Sequence, residues 1–277
     1  MAYFEACRES TRTEMARRMA TVPVTRAVMS TQRTESDLAR RLLGLIDLTS
    51  LNPSDTEASV TALAALASTP AGRVAAVCIW PRFIDLARRC LEGTGVPIAA
   101  VANFPAGAND VTAAAAETAA AIAAGADEVD VVFPYRAMLA GDDATGLALV
   151  RACRAACGES GRLKVILETG QLGSQERIRH ASELAVEGGA HFLKTSTGKT
   201  QPAATLPAAA VMLEVIAAAK RRGITVGLKA SGGLGRMADA AAYLDLYEER
   251  FGPGSATPAS FRIGASSLIT PVLAALG

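Results

Sequence analysis

Eight short apolar runs punctuate the chain between residues 43 and 264, and each is followed by a longer segment patterned for helix. The runs fall at roughly 43–48, 73–79, 98–103, 128–133, 163–168, 191–195, 224–229 and 261–264. Their shortness and their content of valine, isoleucine and leucine predict buried strands. Helices are predicted to start near Asp55, Pro81, Asp110, Tyr135, Ser174, Thr205, Met237 and Ser266. Ser54-Asp55 offers an N-cap to the first of these, and Gly93, Gly125, Gly158 and Gly223 stand where helices should stop. Strand–helix alternation makes parallel sheet, and eight such units in about 235 residues is the size of a closed barrel. The expected fold is therefore α/β, a single (β/α)8 TIM barrel over residues 34–277. A doubly wound open sheet competes, but no Gly-x-Gly-x-x-Gly opens the first helix.

Ahead of the barrel, residues 1–33 form a polar, arginine-containing extension, expected to be partly helical and to pack on the outside or at a subunit contact. Its arginines suggest a transit peptide, whereas Glu5, Glu9 and Glu14 argue against one. A short helix from Glu35 to Leu43 should lead into the barrel.

Half of the 277 residues are hydrophobic and 20% are charged, which fits a soluble globular chain with a large core. The formal net charge is +1 and no basic stripe is present, so nucleic acid is not an expected partner. The longest apolar stretches, Ala113–Ala116 and Ala119–Ala124, are too short and too weakly hydrophobic to span a bilayer, so no membrane association is expected. Cys7, Cys78, Cys90, Cys153 and Cys157 contain no CxxC pair, which speaks against a disulfide framework and a structural zinc site. With two histidines, His180 and His191, a histidine metal centre or a conventional triad lacks material. The opening MAYFEACRES has no apolar core of a secretory signal, and a reducing cytoplasm is the expected compartment.

In a barrel, catalytic groups belong at the carboxyl ends of strands. Strand one ends at Asp47-Leu48-Thr49, strand two at Cys78, strand three at Asn103, strand five at Glu168, strand six at Lys194 and strand seven at Lys229. Asp130 and Lys164 lie lower in strands four and five and would have to reach a pocket from beneath. An ammonium on a buried strand is costly unless paired or deprotonated, so Lys194 either snorkels outward or serves as an amine nucleophile. Lys229 on the neighbouring strand disfavours a second positive charge, although it equally suits a structural ion pair with Asp47 or Asp130. Lys164 shares a strand face with Glu168 and can join or compensate the other lysines. Glu128 and Asp130 share a face by alternation, and Asp130, set among valines, suits proton transfer at an imine. Asp47, Glu128 and Asp130 are also a donor set for magnesium, but the nearby lysines disfavour a divalent cation, so no metal is expected.

Two glycine-rich runs, Lys229-Ala230-Ser231-Gly232-Gly233-Leu234-Gly235-Arg236 and Gly264-Ala265-Ser266-Ser267, come after strands seven and eight, where barrels often hold phosphate. Gly198-Lys199 after strand six adds an amide and a charge. Together these residues point to a phosphorylated carbonyl or sugar as substrate, with an imine-forming lysine and an acid/base carboxylate.

Several ordered blocks then resemble one family. They are Ile46-Asp47-Leu48-Thr49 with Leu51-Asn52, Val77-Cys78-Ile79-Trp80-Pro81-Arg82, Asn103-Phe104-Pro105, and Gly125 through Val132 with Phe133-Pro134-Tyr135-Arg136. Leu163 through Gly170, Phe192 through Lys199 and Phe261 through Ser267 complete the set. They resemble the deoxyribose-phosphate aldolases, from about Leu43 to Leu276. That resemblance implies reversible cleavage of 2-deoxy-D-ribose 5-phosphate to glyceraldehyde 3-phosphate and acetaldehyde, without metal or cofactor. It implies Lys194 as the Schiff-base lysine, Asp130 as proton donor and acceptor, and Lys229 as the group that lowers the pKa of Lys194. Lys164 would assist at the carbinolamine and Asp47 would support the lysine network. Gly198, Lys199, Gly232, Gly233, Ser266 and Ser267 would hold phosphate, with Thr49, Thr197, Gly264 and Arg236 on the substrate side. Cys78 matches a family cysteine beside the pocket that is open to unsaturated aldehydes. A homodimer is also implied.

Three departures accompany the resemblance. Gly235 occupies the place where the family usually has arginine, and Arg236 comes one later, so phosphate is held less tightly or Arg236 reaches back. Some members end in a tail carrying a tyrosine, whereas this chain stops at Leu276-Gly277. The stretch before Leu43 is longer than in short members. A Schiff-base barrel with an altered, non-phosphorylated substrate and a non-catalytic phosphosugar-binding protein are the competing functions.

Overall fold

The computed structural model describes residues 34–277, and the expectations for residues 1–33, including Cys7, lie outside them. Helix α1 (Glu35–Leu43) is capped by the Thr34 hydroxyl, which accepts from the Asp37 N–H. Eight parallel strands come next: β1 (Ile46–Thr49), β2 (Ala76–Ile79), β3 (Ile98–Ala102), β4 (Glu128–Val132), β5 (Arg162–Ile166), β6 (Phe192–Lys194), β7 (Gly227–Ser231) and β8 (Phe261–Ala265). Each pairs with its neighbours in the chain, and β1 pairs with both β2 and β8, which closes the barrel. The (β/α)8 expectation is met, and the open sheet is excluded by that closure.

The connecting helices are α2 (Glu57–Ala67), α3 (Ile84–Cys90), α4 (Val111–Ala123), α5 (Tyr135–Leu139), α6 (Asp143–Ala156), α7 (Thr169–Leu172), α8 (Gln175–Glu187), α9 (Leu206–Arg221), α10 (Met237–Phe251) and α11 (Ile269–Ala274). Most start within two residues of the sequence expectation. The cap of α2 is Thr56 rather than Ser54-Asp55, because Thr56 and Ser59 satisfy each other's backbone N–H groups. Asp55 instead accepts from the Ser50 hydroxyl at 2.8 Å and the Asn52 N–H at 2.9 Å, which shapes the loop after β1. The segment beginning at Tyr135 is two helices, since Asp142 caps a new one through the Thr145 N–H. α11 starts at Ile269, three residues beyond Ser266. A small hairpin, Ser68–Thr69 against Gly72–Arg73, was not anticipated. No helix among the described residues is long and apolar enough to cross a membrane.

Several strand boundaries differ from the sequence expectation, among them β2, which begins at Ala76, and β5, which ends at Ile166 short of Glu168. The first apolar run merges the end of α1, where Leu42 and Leu43 are buried, with β1, so β1 begins at Ile46. β7 runs to Ser231, so Lys229 is its middle residue rather than its last, while Lys194 does end β6. The two are paired in register, Lys194 beside Lys229.

Close packing at the amino end of β7 depends on Gly227, where a Cβ would lie 2.4 Å from a Phe192 ring carbon and 2.8 Å from the Ser260 carbonyl oxygen. Gly227→Ala should therefore cost about 1–3 kcal/mol through forced displacement of Phe192. Urea denaturation measures this, and an unchanged midpoint would show that the ring yields freely.

Candidate active site

The barrel axis is filled by charge. Asp47 (β1), Glu128 and Asp130 (β4), Lys164 (β5), Lys194 (β6), Lys229 (β7) and Arg262 (β8) are all buried. Strand alternation turns each of them inward, and the parallel register sets their heights, with Asp130 beside Lys164 and Lys229 beside both Lys194 and Arg262. Asp130 is the hub: one oxygen accepts from Lys164 at 2.7 Å, and the other from Lys194 at 2.8 Å and Lys229 at 2.6 Å. Asp47 contacts Lys229 at 2.6 Å, Lys164 at 3.5 Å and the Arg262 guanidinium. Glu128 contacts Lys164 at 2.6 Å and Arg262 at 2.9 Å. Asp47 Oδ2 and Glu128 Oε2 make no well-angled hydrogen bond, so their lysine contacts are held by charge alone.

Three carboxylates thus face four cationic side chains. Burial would raise the Asp130 carboxyl, but Lys164, Lys194 and Lys229 together hold it well below its ordinary value. Burial likewise opposes charge on Lys229 and on Lys164, yet the surrounding carboxylates win and push both upward, Lys229 the further. Lys194 goes the other way. Burial pulls it down, Lys229 adds to that, and Asp130 only partly opposes them. Lys194 is therefore the amine of the cluster most readily found neutral, and a neutral amine can add to a carbonyl carbon. Each carboxylate is already shared between two or three cations, which leaves no oxygen pair for a divalent metal.

Above this cluster, at the carboxyl ends of the strands, lies a cavity of about 310 Å³. Lys194, itself only 2% exposed, lines it together with Thr49, Thr197, Gly198, Lys199, Gly232, Gly233, Gly264, Ser266 and Ser267. Leu51, Asn52, Ser231, Leu234, Gly235 and Ala265 complete the wall. Among the described residues its charged lining is two lysines with no carboxylate, which favours an anionic ligand. Asp47, Asp130, Lys164 and Lys229 do not line the cavity and sit beneath it.

The loop after β6 is tied to its neighbours on both sides. The Thr195 hydroxyl accepts from the Ser231 N–H at 2.9 Å, and the Ser231 hydroxyl donates to the Ser196 carbonyl at 2.6 Å. Glu168, in a left-handed conformation at φ 54°, accepts from the Thr197 hydroxyl at 2.6 Å and its N–H at 3.2 Å. Gly264 is small because a Cβ there would lie 2.8 Å from Ser231 Cβ and 3.0 Å from Lys229 Cε, in the path of the lysine chain.

Three sequence expectations need correction. Arg236 does not reach back into the cavity: its side chain is 80% exposed and binds both Asp239 oxygens, at 2.6 and 2.9 Å, in the first turn of α10. Cys78 lies beneath the cavity rather than in its wall, 3.7 Å from Asp130, and burial pushes its thiol up towards the protonated form. Lys164 joins the other lysines through Asp130, but it does not share its strand with Glu168, because β5 ends at Ile166 and Glu168 turns to hold Thr197. Sequence reasoning gave no role to Arg262, which bridges Asp47 and Glu128. The signal was present, as Phe261-Arg262-Ile263 places a charge in the interior of an apolar strand.

A family model described as "DeoC/LacD family aldolase" matches residues 41–247 of the chain. The chain belongs to the DeoC/LacD aldolase family. Solved structures agree. A protein of Toxoplasma gondii ME49, provisionally titled a deoxyribose-phosphate aldolase, superposes with a TM-score of 0.81 at 26% identity, covering 87% of this chain and 95% of its own. A similarly titled protein of Coccidioides immitis gives 0.74 at 28% identity, covering 85% and 86%. The deoxyribose phosphate aldolase of Aeropyrum pernix, described as a tetramer, gives 0.68 at 25% identity, covering 87% and 92%. The barrel is thus that of an aldolase, a carbon–carbon lyase.

The depressed Asp130 carboxyl makes a stability prediction for this aldolase. Its contribution is complete at neutral pH, begins to be lost below the unfolded-state value of about 3.9, and disappears as pH falls through the lower folded-state value. Asp130→Asn leaves Lys194 without a carboxylate and takes one from Lys164 and Lys229, and should cost about 3–5 kcal/mol at pH 7. The gap from wild type should narrow as unfolding is measured at progressively lower pH below 4, whereas a constant gap would mean that the charge is not responsible.

Proposed function

We propose that this chain is a class I aldolase that reversibly cleaves 2-deoxy-D-ribose 5-phosphate into D-glyceraldehyde 3-phosphate and acetaldehyde, through an imine on Lys194. The observation that supports this most is the lowered Lys194 amine on the wall of a cavity whose charged lining is otherwise one lysine, Lys199. In this reading the Lys194 nitrogen adds to the C1 aldehyde of the open-chain sugar, giving a carbinolamine. Loss of its hydroxyl as water gives the iminium, and Asp130, 2.8 Å from the nitrogen, relays the protons with Lys164 at its other oxygen. Removal of the C3 hydroxyl proton breaks the C2–C3 bond, the electron pair flows into the iminium, and glyceraldehyde 3-phosphate departs. Protonation of the enamine at C2 and addition of water release acetaldehyde and restore the amine.

The phosphate is held at the outer end of the cavity by the Lys199 charge and the Ser266 and Ser267 hydroxyls, with the turns at Gly198, Gly232 and Gly233 admitting it closely. Lys229, kept charged by Asp130 and Asp47, disfavours a proton on Lys194. No metal or organic cofactor has a step in this scheme. The free cysteines Cys78, Cys90, Cys153 and Cys157 suit a reducing compartment such as the cytoplasm.

Borohydride reduction in the presence of acetaldehyde should leave an ethyl group on the peptide holding Lys194. Lys194→Ala should abolish both trapping and turnover, and full activity in that variant would end the proposal. The attacking amine must be neutral, so the rate of trapping should fall as pH is lowered through a Lys194 pKa below 10.5. In Lys229→Leu that limb should move to higher pH, because one cation is lost and Asp130 is left freer to hold the Lys194 proton.

One observation favours a second substrate. With Arg236 turned to Asp239 and Gly235 in the wall, Lys199 is the one cationic side chain that the outer cavity lining offers to phosphate. Activity on 2-deoxy-D-ribose equal to that on its 5-phosphate would select a non-phosphorylated aldehyde, while a ten-fold or greater preference, about 1.4 kcal/mol or more, would retain the phosphate ester.

A further inference from the structure

Arg262 is among the largest side chains fully buried in the barrel, and it lies at the end away from the reacting cavity. Its guanidinium donates to Asp47 Oδ1 and to Glu128 Oε1, and lies 5.6 Å from the centre of the Phe192 ring. Its Nε donates to the Pro258 carbonyl. The remaining oxygens of those two carboxylates hold Lys229 and Lys164, each at 2.6 Å. Both lysines in turn reach Asp130, the partner of Lys194. Every carboxylate is shared, so whatever binds Asp47 and Glu128 from below governs how much of Asp130 is left for Lys194.

We propose that Arg262 and Glu128 are positioning residues that set the proton occupancy of Lys194 from the far end of the barrel. The inference rests on Lys194 being the nucleophile in the proposed reaction. Asp47, Glu128 and Asp130 supply three negative charges, and Arg262, Lys164 and Lys229 match them, so Lys194 is the cation site left over. Without the guanidinium, Asp47 and Glu128 draw more on Lys229 and Lys164. Asp130 is then freer to hold a proton on Lys194. Without the Glu128 charge, Lys164 leans harder on Asp130, and Lys194 loses its proton more readily.

Other groups face the cluster without altering this balance. From β2 the Cys78 thiol approaches Asp130 and stays protonated. At the far mouth, Arg73, Arg162 and Asp127 share a cavity of about 560 Å³ with Glu128 and Arg262. Beside it, His191 is pulled down by burial and by Arg154 and Arg162, so it adds no charge at neutral pH, and its ring accepts from the Leu163 N–H at 2.9 Å. Glu128 is the one charge that raises His191, so Glu128→Gln lowers the imidazole further and leaves it without charge.

The test is competitive labelling of the full chain with acetic anhydride across pH, with the peptide holding Lys194 followed by mass spectrometry. Acetylation reports the neutral amine and needs no turnover. Glu128→Gln, which keeps the side-chain shape, should move the Lys194 midpoint down by about one pH unit, and Arg262→Met should move it up by a similar amount. The double variant should return near wild type, because it removes one charge of each sign, and Arg262→Lys should also stay near wild type. Should Arg262→Met fail to fold, Glu128→Gln and Arg262→Lys carry the test. An unmoved or raised midpoint in folded Glu128→Gln, or both single variants shifting the same way, overturns the inference. Wild-type protein that acetaldehyde and borohydride fail to label would instead overturn the imine itself, so the two failures are distinguishable.

Discussion

The barrel is organised around a charge mismatch that cannot be screened by water. Three carboxylates and four cationic side chains share its dry axis, with Asp130 touching three of the lysines at 2.6–2.8 Å. Burial on this scale is unfavourable for any lone ion, and pairing offsets the cost only where geometry gives every anion its cations. The closed sheet provides that geometry. Six of the eight strands contribute one or two inward residues at a height set by the parallel register, so the cluster is assembled from β1, β4, β5, β6, β7 and β8 with no loop involved. The surplus positive site falls on Lys194, the one lysine of the cluster that reaches the upper cavity.

Rigid placement comes from the way the rim is fastened. β6 is only three residues long, too short to hold its terminal lysine by ladder bonds alone. Bonds from Thr195 and Ser196 to Ser231 extend the β6–β7 wall past the end of the strand, and Glu168 ties Thr197 to the end of β5. The left-handed backbone at Glu168 is uncommon for a residue with a side chain, and the paired hydrogen bonds to Thr197 explain why it is kept.

Much of this was legible in the sequence, for physical reasons that can be named. The eight strands announced themselves through short apolar runs, and a carboxylate among valines or a lysine behind Phe192-Leu193 stood out because burial makes such residues expensive. Arg262 carried the same signal and was missed, since an arginine near a strand start usually snorkels out, and only the closed barrel puts Asp47 and Glu128 within its reach. The apolar run ends at Lys229, yet β7 continues to Ser231, whose hydroxyl and N–H are both bonded to the loop after β6. Arg236 looked available for the cavity until Asp239, one helical turn on, claimed its guanidinium.

Lys194 is the only member of the buried charge cluster that also belongs to the cavity wall. The two layers of the site can therefore vary separately. Replacing Leu51, Asn52, Leu234 or Gly235 reshapes what the cavity admits while leaving the ion pairs beneath untouched. Substrate range in this barrel is a property of its rim, and it can drift, or be redesigned, without re-deriving the electrostatics that make the amine reactive.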